Sequence, residues 1–262
     1  KQHKNSFDDW TKAFQKAIDI RIQNSSFPFF IGLSSGYDSG SICCCLNNID
    51  CKYESYSIYG GENVKTIEER IELNKGCGNK GNITNVTLEN YQEMTQILKE
   101  NCEDFHHYVL PNNQRPYSIL NDGASAGMAI IFQEAKKKGY KYFLSGQGAD
   151  EIFSDYGHNG IKIKPHSFFG GKFPEKLEDF FPWHSVFDGV QKCFLAKEEY
   201  VSGAFGIEGR YPFLDKNVVQ EFLWLTPELK NSFYKAPLYN FLTQHEYPFN
   251  PNMKVGFSKP WN

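Results

Sequence analysis

The sequence predicts an α/β fold, a doubly wound parallel sheet followed by a mainly helical C-terminal lobe, and three observations carry that expectation. Over roughly the first 156 residues, short apolar runs alternate with amphipathic stretches of helical period, the pattern of successive βαβ units. Two of those runs, FFIGL at 29–33 and YKYFL at 140–144, lead directly into loops of small residues, SSGYDS at 34–39 and SGQGADE at 145–151. From Val186 onward the periodicity is helical. In a doubly wound sheet the loops after neighbouring strands open on one crevice, so both loops are expected to address one ligand.

Each element has its own signal. Phe7 to Ile22 carries apolar residues at 7, 10, 14, 17, 18 and 22, with Asp8 and Asp9 in the first turn, and reads as an amphipathic helix. The apolar run beginning at Phe29 reads as a buried strand, with a helix from near Ser39 through SICCCL. Lys52 to Ser57 reads as a second strand, Ile67 to Leu73 as a helix, Asn82 to Leu88 as a third strand and Glu89 to Asn101 as a helix. Pro111 to Pro116 reads as a loop. Ala124 to Lys138 is a helix stopped by Lys136-Lys137-Lys138-Gly139, a basic C-terminal end rather than a partner site. Gly157 to His184, with Gly170-Gly171 and three prolines, has no sustained period and reads as a mobile cover. Helices are expected at Val186 to Tyr200, Asn217 to Leu225 and Tyr239 to His245. The whole chain reads as one domain, about 1–156 forming the α/β part and about 157–262 the cover and helical lobe.

Composition narrows the function classes. Lys and Arg number 28 against 31 Asp and Glu, a net charge of −3 with no dense basic run, so no nucleic-acid footprint is present and any phosphate site must be local. The seven cysteines include no C-x-x-C pair, and they read as small buried hydrophobes of a reducing compartment rather than zinc ligands. No apolar stretch reaches a membrane span and no signal-peptide pattern opens the chain, so a cytoplasmic location with no membrane partner is expected. The N-x-S/T triplets, Asn24-Ser25-Ser26 among them, are incidental in that compartment. The chain opens on lysine rather than methionine, which points to a part of a longer product.

The first loop suits phosphate. Gly36 allows close backbone approach, Ser34, Ser35 and Ser39 offer hydroxyls, and the following helix directs its free N–H groups and positive dipole end at the loop. Asp38 would repel a phosphate unless a cation lay between them, so it reads as a magnesium ligand. A Walker A loop is excluded because no lysine lies between Phe29 and Leu46. Two readings remain open at this point. Gly32-Leu33-Ser34-Ser35-Gly36 satisfies the G-x-S-x-G nucleophile elbow, and Ser34 to Ser39 approximates the SGGxDS pyrophosphate loop of ATP pyrophosphatases, with Ser35 in place of a glycine.

With both loops in view, the chain resembles the synthetase domain of the asparagine synthetase family, which also includes β-lactam synthetases and peptide macrolactam synthetases. The resemblance rests on LSSGYDS at 33–39, FLSGQGADEIFSDY at 143–156 and EGRYPFLDKNVVQEF at 208–222, in order, followed by the weaker pieces Tyr234 to Leu238 and Lys254 to Phe257. It implies an ATP pyrophosphatase-type sheet and a ligase that adenylates a small-molecule or peptide carboxylate, releases pyrophosphate and passes the acyl group to ammonia or an amine. It further implies that Leu33, Ser34, Ser35, Gly36, Asp38, Ser39, Ile58, Ser145 and Gly146 hold ATP and pyrophosphate, with Ile58 against adenine. Asp38 and Asp150 would bind Mg2+, and Lys235 would stabilise charge on the reacting phosphates.

Gln147 stands where the asparagine synthetases carry glutamate and the β-lactam enzymes tyrosine, and an amide cannot act as a general base. Gln147 is left to orient the adenylate or nucleophile, and Glu151 becomes the nearby catalytic candidate. Nothing in residues 1–262 resembles the family's glutaminase domain, so an ammonia-supplying or substrate-presenting protein is an expected partner. Two alternatives stand beside the ligase: a catalytically silent nucleotide- or partner-binding relative, and a serine hydrolase using Ser34 with Asp150 or Asp215 and His245.

Overall fold

The computed structural model describes residues 1–23, 25–103, 106–107, 117–118, 122–187 and 189–251. In chain order its elements are α1 (Asp8–Ile22), β1 (Phe29–Gly32), α2 (Tyr37–Asn48), β2 (Glu54–Ile58), α3 (Val64–Gly76), β3 (Lys80–Thr84) and α4 (Leu88–Asn101). There follow β4 (His106–His107), β5 (Tyr117–Ser118), α5 (Gly123–Lys137), β6 (Tyr142–Leu144), α6 (Ala149–Phe153), β7 (Gly157–His158) and β8 (Ile161–Lys162). The chain ends with α7 (His184–Phe187), α8 (Val190–Gly203), β9 (Glu208–Arg210), α9 (Lys216–Trp224), α10 (Pro227–Lys230) and α11 (Ala236–Gln244).

A parallel sheet of order β3-β2-β1-β6-β9 forms the centre. Phe30 pairs with Glu54 on one side and Phe143 on the other, and Phe143 pairs in turn with Gly209. Successive residues of a strand face opposite sides, and both sides are covered here, which is why β1 and β6 are apolar throughout. Ile31, Tyr142 and Leu144 join Trp10, Phe14, Phe213, Phe222 and Phe241 in one core. Phe30 and Phe143 join Tyr56, Met94, Leu98, Phe132 and Val201 in the other. The strand order reverses between β1 and β6, where the crossovers diverge and leave a crevice at the carboxyl ends of both strands.

Caps set the helix starts. Asn63 accepts from the Thr66 amide ahead of α3, Thr87 and Asn90 form a capping box ahead of α4, and Asp122 accepts from the Ala124 amide ahead of α5. The capping box corrects the third strand, expected at Asn82 to Leu88: Thr87 already begins the helix, and the strand is Lys80–Thr84. The helix after the first loop starts at Tyr37, two residues before the expected position. The expected helix from Val186 is divided, α7 ending before Val190 starts α8. β9, inside the expected helical lobe, is instead the sheet's fifth strand. The loop expected at 111–116 and the Lys254 to Phe257 piece lie outside the described residues.

The segment expected as a mobile cover is anchored. Asp155, 0% exposed, accepts hydrogen bonds from the Ser167 hydroxyl at 3.0 Å, the Phe168 and Phe169 amides at 2.6 and 2.5 Å and the Ser185 hydroxyl at 2.9 Å. Gly157 lies against the Gly170-Gly171 backbone so closely that a Cβ at Gly171 would come within 2.6 Å of the His158 nitrogen. Gly171 also has φ +71, so glycine is needed there twice over.

Candidate active site

The two small-residue loops face one cavity of about 700 Å³ at the switch point of the sheet. Leu33, Ser34, Gly36, Asp38 and Ser39 line it from the first loop, Ile58 from the end of β2, and Ser145, Gly146, Gln147, Asp150 and Glu151 from the second loop. The loops touch: a Cβ on Gly146 would fall 2.7 Å from the Asp38 Cβ, so glycine there permits the approach. Gly148 has φ +96 and starts α6, whose first turn carries Asp150 and Glu151.

Inside the first loop, the Ser34 and Ser39 hydroxyls lie 2.8 Å apart, the Ser34 amide donates to Ser39 Oγ at 3.0 Å, and the Gly36 amide donates to Ser34 Oγ at 3.1 Å. Ser35 is turned elsewhere. Its amide donates to Glu62 Oε2 at 2.8 Å and its hydroxyl donates to the same oxygen. The loop is therefore held by its own hydroxyls and by Glu62, a residue that sequence reasoning missed.

Lys235 joins the two loops from below. Its ammonium lies 2.6 and 2.8 Å from the Asp38 carboxylate oxygens and 2.9 Å from Asp150 Oδ1, and the side chain is 3% exposed. It precedes α11 with φ +48, a left-handed conformation uncommon for lysine, which aims the side chain inward. Burial lowers its proton affinity, and the charges of Asp150 and Asp38 overcome this and raise it well above the ordinary lysine value. The Tyr234 hydroxyl donates to Asp150 at 3.1 Å. The two carboxylates expected to share a metal thus converge on one cationic point. An all-oxygen pair that leaves room for phosphate oxygens and water suits Mg2+.

Glu151 is 1% exposed and accepts from the Tyr156 hydroxyl at 2.5 Å. Burial and then the charge of Asp150 push its carboxyl up to about 7, against the opposing hydrogen bond from Tyr156. A second buried carboxyl, also missed, is Glu198 on α8, 4% exposed and lining the same cavity. The polar side chains of Ser145 and Gln147 favour its charged form, and burial still pushes it up to about 6. Its neighbour Lys197 is held by Asp122 at 2.6 Å. In sequence Glu198 sits in Lys-Glu-Glu, which reads as a solvated helix face. The packing of α8 against α5, α7 and β9 turns it inward.

The hydrolase constellation does not assemble. His245 lies beyond the C-terminal end of α11, roughly 14 Å of helix from Lys235, and its ring packs on Phe241 with centroids 4.6 Å apart. The Ser34 hydroxyl is engaged by Ser39 and Gly36. The cysteines in α2 are buried, and burial pushes the Cys43 thiol up to about 11, away from nucleophilic or ligating character. Among the described residues, no group of three or more His, Cys, Asp or Glu could hold a metal, and no helix is long and apolar enough to cross a membrane.

A doubly wound sheet with a serine and glycine loop after its first strand, and an acidic loop converging on it at the switch point, defines an α/β protein whose cleft lies where this fold class binds its ligands. The sequence profile of the asparagine synthase family matches residues 9–192, and the chain belongs to that family. It is 32% identical over 229 residues to asparagine synthetase [glutamine-hydrolyzing] 1 of Arabidopsis thaliana, covering 84% of this chain and 35% of that protein. It is 25% identical over 230 residues to the corresponding enzyme of Sandersonia aurantiaca, covering 84% and 39%. The chain thus spans little more than a third of the length of these two relatives. Among solved structures, NMN synthetase from Francisella tularensis aligns over 95% of this chain and 100% of that one, with TM-score 0.40 and 11% identity.

Proposed function

We propose that the chain is an ATP-dependent, amide-forming ligase domain that adenylates a carboxylate, releases pyrophosphate and transfers the acyl group to ammonia or an amine. The observation that carries this reading is the buried ammonium of Lys235 between Asp38 and Asp150, one carboxylate from each loop. Phosphoryl chemistry depends on charge stabilisation more than on covalent participation. A lysine fixed below two phosphate-facing loops can meet charge that develops as pyrophosphate leaves. ATP would lie with its base against Leu33 and Ile58, its pyrophosphate on Ser34, Gly36 and Ser39, and its α-phosphate toward Ser145 and Gly146. Mg2+, held by Asp38 and Asp150, would neutralise charge on the phosphates.

Glu198 supports assignment of the proton acceptor that Gln147 cannot provide. An amide oriented against a buried carboxylate near pKa 6 positions that carboxylate for an incoming amine, and the base can be ionised at neutral pH. Glu151, hydrogen-bonded by Tyr156, then serves to fix α6 and Asp150.

The test is chemical trapping. Purified protein, MgATP and a panel of carboxylates are incubated with hydroxylamine, and hydroxamate, AMP and pyrophosphate are measured. The ligase reading expects all three in equal amounts with at least one carboxylate. Stoichiometric ATP binding without AMP formation across the panel would favour the silent, binding-only relative.

A further inference from the structure

Behind the pyrophosphate loop lies a second charged group. Arg70, on α3, is 0% exposed. Its Nη1 donates to the Ser34 carbonyl at 2.5 Å and to the Gly36 carbonyl at 2.8 Å, and its Nε donates to the Pro248 carbonyl at 2.8 Å. The guanidinium stands 5.4 Å from the centroid of the Tyr247 ring. It reaches this position because residue 40 of α2 is glycine: a Cβ there would fall 2.6 Å from Arg70 Cζ and would displace the guanidinium.

From this geometry we infer that Arg70 is the positioning residue of the pyrophosphate loop, fixing the Ser34 and Gly36 carbonyls inward so that the loop's cavity side faces the β- and γ-phosphates of ATP. The inference rests on the ATP reading of the cleft. Across a trans peptide the amide of the next residue opposes the carbonyl, so the Gly36 carbonyl held by Arg70 turns the Tyr37 amide at the start of α2 the other way. The Ser34 carbonyl held by Arg70 turns the Ser35 amide to Glu62, while Ser34, Gly36 and Ser39 line the cavity. Ser35, which lacks the φ freedom of glycine, is held by Glu62 on the other flank, so the loop is gripped at three successive residues by groups from outside it. The planar fork of arginine spans two carbonyls and a third on another segment. Lysine cannot do this. Arg70 also adds a positive charge behind a loop that receives anions, and the Pro248 carbonyl ties that loop to the segment following the helix that Lys235 precedes.

The contribution of Arg70 should be confined to the phosphates beyond the first. Dissociation constants for MgATP and AMP are measured by calorimetry on wild type, Arg70→Gln and Arg70→Lys, with circular dichroism as the check on folding. MgATP affinity is expected to fall at least tenfold in both variants, with AMP affinity unchanged within twofold. Equal losses for ATP and AMP, or no loss for either, would overturn the inference. Should the Arg70 variants fail to fold, Gly40→Ala, which retains the charge but pushes the guanidinium off the carbonyls, must show the same ATP-selective loss. A wild type that binds neither nucleotide would instead sink the ligase reading, a distinct outcome.

Discussion

Lys235 and Asp38 are 197 positions apart in sequence, and the ammonium of one lies 2.6 and 2.8 Å from the two carboxylate oxygens of the other. Asp150 shares the same ammonium at 2.9 Å, so the protein itself supplies one positive charge at the point where its two acidic loops meet. On the proposed reading, lysine and a divalent cation would compete for the same pair of carboxylates until nucleotide supplied further negative charge.

Lys235→Ala should cut turnover by about 10²-fold or more while changing MgATP affinity much less, because in the proposed mechanism the charge it meets grows during pyrophosphate release. The same variant should bind Mg2+ without nucleotide at least tenfold more tightly than wild type, since two carboxylates lose their internal counter-ion. Calorimetric titration of Mg2+ into nucleotide-free protein checks this. Unchanged Mg2+ affinity would show that the carboxylates do not serve the metal.

Asp38→Asn should weaken ATP binding in the presence of Mg2+ and leave it unchanged, or improve it, in EDTA, where the native carboxylate only repels phosphate. Equal losses in both conditions would contradict a metal role.

In the proposed role Glu198 accepts a proton in its ionised form, so the pH profile of kcat should rise through about 6. Glu198→Gln should lower kcat by about 10²-fold or more and remove that limb. Gln147→Glu places a second carboxyl against the first, and the apparent pKa of the limb should move upward. The same group has a linked effect on stability. Its folded pKa, about 6, lies above the ordinary glutamate value of 4.5, so the folded state binds the extra proton between those values. Wild type should lose roughly 2 kcal/mol of stability as pH rises from well below 4.5 to well above 6, relative to Glu198→Gln. Urea titrations spanning that range measure the difference.

Much of this architecture was readable in the chain. The residues of β1 and β6 are apolar on both faces because both are covered, and glycine and serine after each strand mark the loops that meet. β9 escaped because Glu208-Gly209-Arg210 is three residues long and polar, an edge strand whose apolar support comes from neighbours. Arg70 carried a faint signal: Thr66, Ile67, Arg70 and Asn74 form one buried stripe of α3, which places the arginine on an inward face. Glu62 and Glu198 carried none, since their roles arise from contacts with Ser35 and with Ser145 and Gln147 across the fold. Asp155 was equally silent. It precedes Tyr156 where the family loop has glycine, and only the structure reveals the four donors that it gathers from 167–185.

Asp155→Ala removes the acceptor for those buried donors and should cost on the order of 3 kcal/mol. A fall of several degrees in Tm, together with faster proteolysis within 157–184, is expected. An unchanged protease pattern would show that the cover is held by its glycine contacts alone.

The most direct measurement of the central claim is isotope exchange between pyrophosphate and ATP. With Mg2+ and a competent carboxylate, labelled pyrophosphate should enter ATP only when the carboxylate is present, and Asp38→Asn and Lys235→Ala should each abolish the exchange. Carboxylate-dependent release of orthophosphate and ADP, with no label entering ATP, would contradict adenylation and the roles given to both loops.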